Sequence, residues 1–357
     1  MMKKVLYVTN IEVPYRVRFF NQLAEHCDLT VLYGREKGAQ RNGKWSKSQS
    51  ISHKALYLKG FKLGLEDTFS FGILKHVFSK QYDAVVLGCY NSPTQMLAIL
   101  AMRLFRKPYI LNIDGEVFVG EKGFKNKLKK FFLSGASHYV AAGEKSAESL
   151  KAIVKNKPIT PYYFSSMSEE ELKRNANIGC NPGQTVLVVG QYLDVKGIDV
   201  ALEAAKMDDS FQYKFIGMGA QTQEFIEKYQ AASVKNVEFI PFLQKQDLEK
   251  EYQTCGVFVL PSRQECWGLV VNEAASFGTP IVSTWGSGAG VEFLAEEYSE
   301  CLAIPGNAED LYQKINNVLY HMDREKYRQY LLKKSAGYSI EQAVEAHCRV
   351  LEIKIGA

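Results

Sequence analysis

This sequence of 357 residues lacks several patterns that would place a protein in a definite class at once. Its seven cysteines are an odd number without any C-x-x-C pair, which indicates reduced thiols instead of a disulfide framework or a zinc site. Its six histidines are scattered, so no bound metal is expected. No apolar run approaches the about 20 residues that a membrane-spanning helix needs. Any membrane contact is therefore expected to be peripheral.

Common nucleotide and hydrolase motifs are missing as well. The sequence has no Walker A loop, no G-x-S-x-G elbow and no D-x-D pair for a metal-bound diphosphate. The segment from Phe215 to Gly219 lacks the third glycine and the acidic residue of a dinucleotide fingerprint, so NAD is not expected. An apolar strand begins already at Val5, and we therefore expect no signal peptide and a cytoplasmic location.

The charge is distributed unevenly between the two halves of the chain. Residues 1–165 hold 26 Lys and Arg against 12 Asp and Glu, a balance of +14, whereas residues 166–357 have a balance of −9. The basic half predicts an anionic partner, such as a membrane surface or a lipid phosphate. Nucleic acid is not favoured, because no recognition motif and no interleaved aromatic platform is present.

The length and the pattern of apolar segments predict two α/β domains. A chain of 357 residues is too long for one ordinary core. Short apolar strands alternate with helical patterns from Lys3 to Val154 and again from Thr185 to Ile304. Residues 155–183 contain prolines, serines and an acidic run, and we expect them to form a linker. Three helical patterns close the chain, the last of them from Ile340.

One stretch, from Phe258 to Val282, combines the features of a ligand site. It predicts a buried strand, a loop with Glu265, a helix with Glu273, and a second strand. The first N–H groups of that helix, at residues 268–270 (Gly268, Leu269, Val270), have no partner inside the helix and can bind an anion. A diphosphate at the helix start with a hydroxyl-rich group held by each carboxylate fits this layout. The simpler alternative is a helix cap and a solvated face.

The same residues resemble a known family. Glu265-x7-Glu273, preceded by Leu-Pro-Ser at 260–262 and followed by Gly-Thr-Pro at 278–280, is similar to the retaining nucleotide-sugar glycosyltransferases of group 1, also called family four. The resemblance implies two facing Rossmann-like domains with an interdomain cleft, the GT-B type. It assigns residues 1–165, with a last helix of about 340–357 that crosses back, to acceptor binding. Residues 166–339 would bind the nucleotide sugar.

The segment from Val188 to Gly197, which contains Gly190, resembles the family's phosphate motif. Lys196 matches the family's lysine for the donor diphosphate, whereas Gln191 stands where the family has an arginine. A neutral amide makes weaker hydrogen bonds to phosphate than a cation does. We therefore expect either weaker activity or a cation from elsewhere, for example Arg263.

Other positions are assigned by the resemblance to the walls of the cleft. Gly217 matches a cleft-lining glycine turn, and Pro241 ends the strand where the family holds the base through backbone atoms. Asp114 stands where the family has a histidine near the transferred sugar. A carboxylate there could hold a sugar hydroxyl or act as a base toward the acceptor, or it could be an Asx-turn residue.

Two further expectations concern the acceptor and the membrane. Tyr15 and Arg16, in the turn after the first strand, are candidates for holding an acceptor phosphate, although a solvated arginine is the alternative. The segment from Lys122 to Leu133 predicts a basic amphipathic helix that lies on an anionic membrane, or one that simply packs on the sheet.

Together these features predict a metal-independent retaining glycosyltransferase without a cofactor. Its donor would be a nucleotide-diphosphate sugar, expected to be UDP-linked, and its acceptor a saccharide or polyprenyl-diphosphate-linked saccharide of a bacterial surface polysaccharide. Glu265 would hold the transferred sugar, Glu273 the ribose, and Lys196 the diphosphate. A non-catalytic binding subunit and a nucleotide-sugar 2-epimerase of the same fold remain alternatives.

Overall fold

The structure of the protein is a computed structural model. It describes residues 2–35, 50–63, 67–115, 123–181, 183–218, 221–229, 231–240 and 242–354. The chain forms two compact units, of which unit 1 comprises Met1–Ser166 with Ile340–Ala357, and unit 2 comprises Met167–Ser339. Each unit has its own sheet and is described separately.

Unit 1 is built on a parallel sheet. Its described strands are β1 (Lys4–Ile11), β2 (Asp28–Arg35), β3 (Lys54–Tyr57), β4 (Phe61–Leu63), β5 (Asp67–Phe69), β6 (Ala84–Leu87), β7 (Ile110–Ile113), β8 (His138–Ala142) and β9 (Ile159–Tyr162). The parallel strands lie in the order β3-β2-β1-β6-β7-β8-β9, and β4 pairs with β5 as a separate antiparallel hairpin. Strand order therefore reverses between β1 and β6.

Five of the helices that the structure describes in unit 1 follow its strands, and a sixth, at the end of the chain, is given below. The five are α1 (Pro14–Leu23), α2 (Ile73–Val77), α3 (Pro93–Leu104), α4 (Phe124–Leu133) and α5 (Gly143–Lys151). Helix α1 begins at Pro14, which is favoured there because proline lacks only an N–H that a first-turn residue leaves unpaired anyway. The placement of Tyr15 and Arg16 in the turn after the first strand was therefore wrong, because both lie in the first turn of α1.

The predicted linker at residues 155–183 was also wrong over most of its length. It contains β9, which pairs with β8 at the edge of unit 1, and a helix, α6 (Glu169–Ile178), which begins unit 2. Ser168 and Glu171 form a capping box, with each side chain bonded to the other's backbone N–H. The acidic run occupies the first turn, where the positive helix end stabilises it.

Unit 2 contains a second parallel sheet. Its described strands are β10 (Thr185–Gln191), β11 (Gln212–Met218), β12 (Val237–Ile240), β13 (Val257–Val259), β14 (Ile281–Thr284) and β15 (Leu302–Ala303). They lie in the order β12-β11-β10-β13-β14-β15. The order reverses between β10 and β13, and ligands of open α/β sheets bind at the carboxyl ends of the strands beside such a reversal.

The helices of unit 2 pack on this sheet, and the last helix of the chain belongs to unit 1. After α6 come α7 (Ile198–Ala205), α8 (Gln221–Lys228), α9 (Lys245–Thr254), α10 (Leu269–Ser276), α11 (Gly288–Leu294), α12 (Ala308–Tyr320) and α13 (Arg324–Ser335). Helix α14 (Ile340–Val350) packs against α1 and β9 of unit 1.

Candidate active site

The loops that follow β10 and β13 meet at the reversal of strand order in unit 2. The backbone N–H groups of Arg263 and Gln264 both donate to the carbonyl oxygen of Val195, at 2.9 and 3.2 Å. Gly197 has a φ of +64°, and a Cβ there would overlap the carbonyl oxygen of Pro261. Only glycine allows the two loops to approach so closely.

Lys196 and Glu265 form an ion pair across these two loops. Lys196 ends a short 3₁₀ turn, Asp194–Lys196, and its ammonium group donates to Oε2 of Glu265. The side chains are 23% and 16% exposed, so both charges remain partly accessible to solvent. The Glu265 backbone is fixed to the segment after β14, because its N–H donates to Gly286 and its carbonyl accepts from Gly288.

Glu273 lies in helix α10, which begins next to Glu265. Gly268, with a φ of +100°, occupies the N-cap position of this helix, and as a glycine it has no side chain that could bond the helix start. The first N–H groups, at Gly268, Leu269 and Val270, therefore lie at a positive helix end without a side-chain cap. Glu273 accepts a hydrogen bond of 3.2 Å from the hydroxyl of Tyr252, a fully buried residue of α9. Burial, reinforced by the Glu273 charge, raises the pKa of Tyr252 well above its ordinary value, so Tyr252 acts as a donor.

Arg263 is not the free cation that the sequence suggested. Its guanidinium makes two hydrogen bonds of 2.7 Å to Asp199 of α7 and one of 2.8 Å to the Asp194 carbonyl. The hydrogen bond to Asp199 raises the pKa of Arg263, while this bond and the Arg263 charge overcome burial and lower the pKa of Asp199. Arg263 therefore carries a neutralised charge and ties the 3₁₀ turn of Lys196 to helix α7.

The glycine positions lie on strands and not in a turn. Gly190 of β10 is in register with Gly217 of β11, which corrects the predicted turn at Gly217. A Cβ at Gly217 would overlap the ring of Tyr192, and this ring packs on Phe225 at 4.9 Å. The sequence analysis did not identify Tyr192 as part of this region. An aromatic residue two positions after the strand glycine Gly190 could have indicated it. Gln191 ends β10, and Pro241 lies outside the described residues.

The candidate residues of unit 1 form a separate cluster. Asp114 follows β7 and makes an ion pair with Arg16 through Oδ2, while its Oδ1 accepts a 2.6 Å hydrogen bond from Tyr162. Arg16 is only 5% exposed and its cation lies 4.9 Å from the ring centre of Phe164, which Tyr15 also contacts at 5.7 Å. Burial opposes the charge of Arg16, but Asp114 raises the pKa of Arg16 well above its ordinary value.

This cluster corrects two expectations. Arg16 is neither a solvated arginine nor an open phosphate ligand, since its charge is matched by Asp114. Asp114 is no simple turn residue, because an arginine, a tyrosine and an asparagine (Asn112) all donate to its carboxylate. Its side chain is still 34% exposed and can be reached from solvent. The sequence analysis did not identify Tyr162 of β9 or Asn112 of β7 as partners of Asp114.

The described residues show neither a metal site nor a membrane span. No group of three or more His, Cys, Asp or Glu side chains is arranged to hold a metal ion in the part of the chain that the structure describes. None of the described helices combines the length and apolar character that crossing a membrane requires.

The fold and the sequence both have known relatives. The chain has two Rossmann-like units, each with a parallel sheet, and this is the GT-B fold of glycosyltransferases. A structure of the Anabaena protein HepE with UDP and glucose has a TM-score of 0.70 at 14% identity, covering 99% of this chain and 100% of that chain. Residues 169–334 match the family model described as glycosyl transferases group 1. The match spans most of unit 2, and together with the relatives it identifies the protein as a glycosyltransferase.

Two curated relatives extend over different shares of the chain. The N,N'-diacetylbacillosaminyl-diphospho-undecaprenol alpha-1,3-N-acetylgalactosaminyltransferase of Campylobacter jejuni is 26% identical over 292 residues, which are 74% of each chain. The O-antigen chain mannosyltransferase C of Escherichia coli is 24% identical over 199 residues, 54% of this chain and 53% of that protein.

Proposed function

We propose that this protein is a retaining, metal-independent transferase that moves a sugar from a UDP-linked donor to a hydroxyl of a saccharide or lipid-linked saccharide. The Anabaena neighbour is described in complex with UDP and glucose. The relatives from Campylobacter jejuni and Escherichia coli are named for an undecaprenol-linked acceptor and for O-antigen chains. These names support a place in the synthesis of a bacterial capsule, O-antigen or exopolysaccharide.

The single observation that carries this proposal is the position of the Lys196–Glu265 pair beside helix α10. Lys196, the uncapped end of α10 and the neutral amide of Gln191 supply donors for a diphosphate, and Glu265 and Glu273 supply acceptors for hydroxyl groups on either side. When a donor binds, Lys196 turns from Glu265 to the diphosphate, and Glu265 becomes available to the hydroxyls of the transferred sugar.

The chemistry needs stabilisation of the charge that develops on the departing UDP. Preorganised donors aimed at such a charge lower the barrier, because they need no reorganisation during the reaction. Lys196 is held in place by the 3₁₀ turn, and this turn is held by Arg263 through its bonds to Asp194 and Asp199. Arg263 thus supports Lys196, and it does not supply the charge that the family's arginine has at the position of Gln191.

In unit 1, Asp114 is the residue that we assign to the acceptor. Its carboxylate is held by Arg16 and Tyr162 and remains partly exposed at the carboxyl end of β7. A carboxylate held in this way can accept a hydrogen bond from the attacking hydroxyl and take its proton. Tyr15, one position before Arg16 in α1, stays a candidate for acceptor contact.

Release of UDP is the measurement that tests this function. Purified protein is incubated with a panel of UDP-sugars and a bacterial lipid extract, with and without EDTA. We expect one UDP-sugar to yield UDP only when the extract is present, with an unchanged rate in EDTA. Binding of UDP-sugars without any release would favour a binding subunit, and conversion of the sugar without an acceptor would favour an epimerase.

We also propose that the outer face of α3 and α4 contacts an anionic lipid surface. Leu104, Phe105 and Phe124 are 74%, 69% and 79% exposed. Arg103 of α3 lies 4.0 Å from the ring centre of Phe131 of α4, so the two helices form one continuous face. Residues 93–113 and 123–143 contain seven Lys or Arg and no Asp or Glu. Exposed apolar groups among cations fit the boundary between lipid headgroups and acyl chains.

A further inference from the structure

A cavity of about 510 Å³ lies in unit 2 beside the start of its parallel strands. Its walls are the last turn of α6 with the two residues that follow, Pro280 directly before β14, and the first turns of α13. The candidate donor residues lie at the opposite, carboxyl ends of the strands. The seven residues of β10, at about 3.3 Å each, place roughly 20 Å between the two edges of the sheet. The cavity is therefore separate from the candidate donor site.

Arg324, the first residue of α13, is a half-buried cation in the wall of this cavity. Its Nη2 donates to the carbonyl oxygens of Gly183 and Gly256, at 3.3 and 3.1 Å. Its Nε is buried and has no hydrogen-bond partner, and within the described residues the guanidinium bonds only these two carbonyl oxygens. A buried donor without a partner costs the desolvation energy of the group. Arg324 therefore has bonding capacity that a ligand can use.

Arg328 brings a second cation to the same cavity, one helical turn after Arg324. Residues four apart lie on the same face of a helix, where two like charges destabilise it. Two glycines leave room for the Arg328 side chain, because a Cβ at Gly278 would lie 2.5 Å from its Cγ and a Cβ at Gly179 would lie 3.2 Å from its Nη1. The packing thus places the second guanidinium beside the end of α6.

Glu325 is the acidic residue among the described residues that line the cavity. Its carboxylate accepts hydrogen bonds of 3.0 and 3.3 Å from Arg328, but its side chain is 66% exposed. Exposed ion pairs within one helical turn contribute little to stability, so Arg328 can exchange Glu325 for a ligand. Burial raises the pKa of the Cys180 thiol in the cavity wall, and the charges of Arg328 and Arg324 oppose this rise. Both cations therefore act on the same part of the cavity.

We propose that this cavity binds the phosphate monoester group of a small hydroxylated compound, such as a sugar phosphate. A phosphate monoester carries about −1.5 to −2 charges at pH 7 and three acceptor oxygens, which suit two guanidinium groups better than the single charge of a carboxylate does. Arg324 and Arg328 donate to the phosphate. The carbonyl groups of residues 176–178 have no partner within α6 and accept from the hydroxyl groups.

The size of the cavity favours an ester over a phosphate ion alone. Cavities of roughly 300 to 1,000 Å³ hold whole small molecules, so a phosphate ion would leave most of this one empty. Calorimetric titration of the purified protein at neutral pH compares ribose 5-phosphate, inorganic phosphate and ribose. We expect ribose 5-phosphate to bind, inorganic phosphate to bind about tenfold more weakly because it lacks the hydroxyl groups, and ribose not to bind. Equal affinities for the ester and for inorganic phosphate would overturn the assignment.

Substitutions in α13 should change the affinity for ribose 5-phosphate in opposite directions. Arg328→Gln should weaken binding about 30-fold, because a charged donor to the phosphate is lost. Glu325→Gln should strengthen it about threefold, because Arg328 no longer gives up an ion pair. Arg324→Gln should weaken binding as well, and its thermal unfolding is recorded because it also loses the bonds to Gly183 and Gly256.

Lys326→Gln is the control for charge, since it removes one exposed cation from the same helix outside the cavity wall. It should leave binding of ribose 5-phosphate nearly unchanged. If Lys326→Gln and Arg328→Gln weaken binding alike, the phosphate responds to the overall charge of the surface and the proposed site does not exist.

Lys196→Met distinguishes this cavity from the candidate donor site at the other edge of the sheet. It should leave the affinity for ribose 5-phosphate unchanged, whereas Arg328→Gln should leave the affinity for UDP at the donor site unchanged. Equal losses of ribose 5-phosphate binding in Lys196→Met and Arg328→Gln would place the ligand at the donor site and overturn the inference. Because these titrations need no sugar transfer, their outcome is independent of the proposed function.

Discussion

Lys196 and Glu265 neutralise each other across two loops that leave neighbouring strands of unit 2. Both residues are assigned to the donor, the lysine to its diphosphate and the glutamate to its sugar. Their mutual bond means that neither is available until it is exchanged for a ligand group. Because of this competition, substitutions of Glu265 and of Lys196 should change UDP binding in opposite directions.

Glu265→Gln should strengthen binding of UDP while it weakens sugar transfer. Without the carboxylate, Lys196 no longer gives up an ion pair of about 1 kcal/mol to reach the diphosphate, so UDP should bind about fivefold more tightly. The rate of transfer should fall, because the hydroxyls of the sugar lose a charged acceptor. Calorimetric titration with UDP measures the first effect, and UDP release in the presence of acceptor measures the second.

The control for this prediction is Lys196→Met, which should change UDP binding in the opposite direction. The rate of transfer should fall as well, because removal of a positioned donor from a charge that develops in the reaction typically lowers kcat on the order of 100-fold. Lys326→Met, at an exposed position of α13, serves as the unrelated lysine. If Glu265→Gln and Lys196→Met weaken UDP binding alike, the competition between the two residues does not exist.

Tyr252→Phe should weaken UDP binding modestly by releasing Glu273. The Tyr252 hydroxyl donates to Glu273 at 3.2 Å and fixes the carboxylate that we assign to the ribose hydroxyls. One such bond contributes about 1 kcal/mol, so the dissociation constant for UDP should rise roughly fivefold, and Glu273→Ala should raise it further. Tyr312→Phe is the matched control, since Tyr312 donates to Asp208 at 3.0 Å on another helix. Equal effects of the two tyrosine variants would remove the assignment of Glu273.

Arg263 and Asp199 should be energetically coupled, and their coupling should depend on pH. A double-mutant cycle with Arg263→Ala and Asp199→Ala should give about 1 to 2 kcal/mol in the free energy of unfolding at pH 7, measured by urea denaturation. Because the pKa of Asp199 is lower in the folded protein, this stabilisation is present above its ordinary value of about 3.9 and is lost as pH falls through the folded value. A coupling energy near zero at pH 7 would show that the pair does not hold the Lys196 turn.

Gly197→Ala should destabilise the protein and displace Lys196. The residue has a φ of +64°, and a Cβ would overlap the Pro261 carbonyl, so the backbone of both loops must move. We expect a loss of about 2 to 4 kcal/mol in the free energy of unfolding, together with weaker UDP binding. Gly179→Ala also places a Cβ at a positive φ, +67°, although its ψ of −170° differs from the 25° of Gly197. That Cβ would meet the end of the Arg328 side chain at 3.2 Å and the Ala176 carbonyl oxygen at 3.9 Å, both away from the Lys196 turn. This control should cost about 1 to 3 kcal/mol and leave UDP binding unchanged.

Lys125→Gln with Lys127→Gln should weaken binding to anionic vesicles. Each lysine near such a surface contributes about 1 kcal/mol, so the double variant should bind vesicles of phosphatidylglycerol and phosphatidylcholine roughly 30-fold less tightly at low salt. Lys326→Gln with Lys333→Gln, two exposed positions of α13 in unit 2, is the control of equal charge change. Flotation with the vesicles measures both variants. Similar losses in the two double variants would mean that charge alone, and not the face of α3 and α4, drives binding.

The sequence determined the class of fold and the local elements that carry the proposed donor site. Apolar runs and glycine stops predicted most of the described strands within one or two residues, and the strands predicted at His138–Ala142 and Val237–Ile240 coincide with β8 and β12. The spacing of Glu265 and Glu273 gave the loop and the helix correctly, because a strand, a loop and a helix follow each other locally along the chain. Their roles in binding remain predictions.

Only the tertiary structure decided what each charged side chain is bonded to. Arg263 pairs with Asp199, Arg16 with Asp114, and Lys196 with Glu265, at separations in sequence of 64, 98 and 69 residues. Sequence patterns report the period of apolar residues within one element, and they carry no information about which cation meets which carboxylate. The connection of His347 to Asn112 spans 235 residues, and it arises only because α14 packs back onto unit 1.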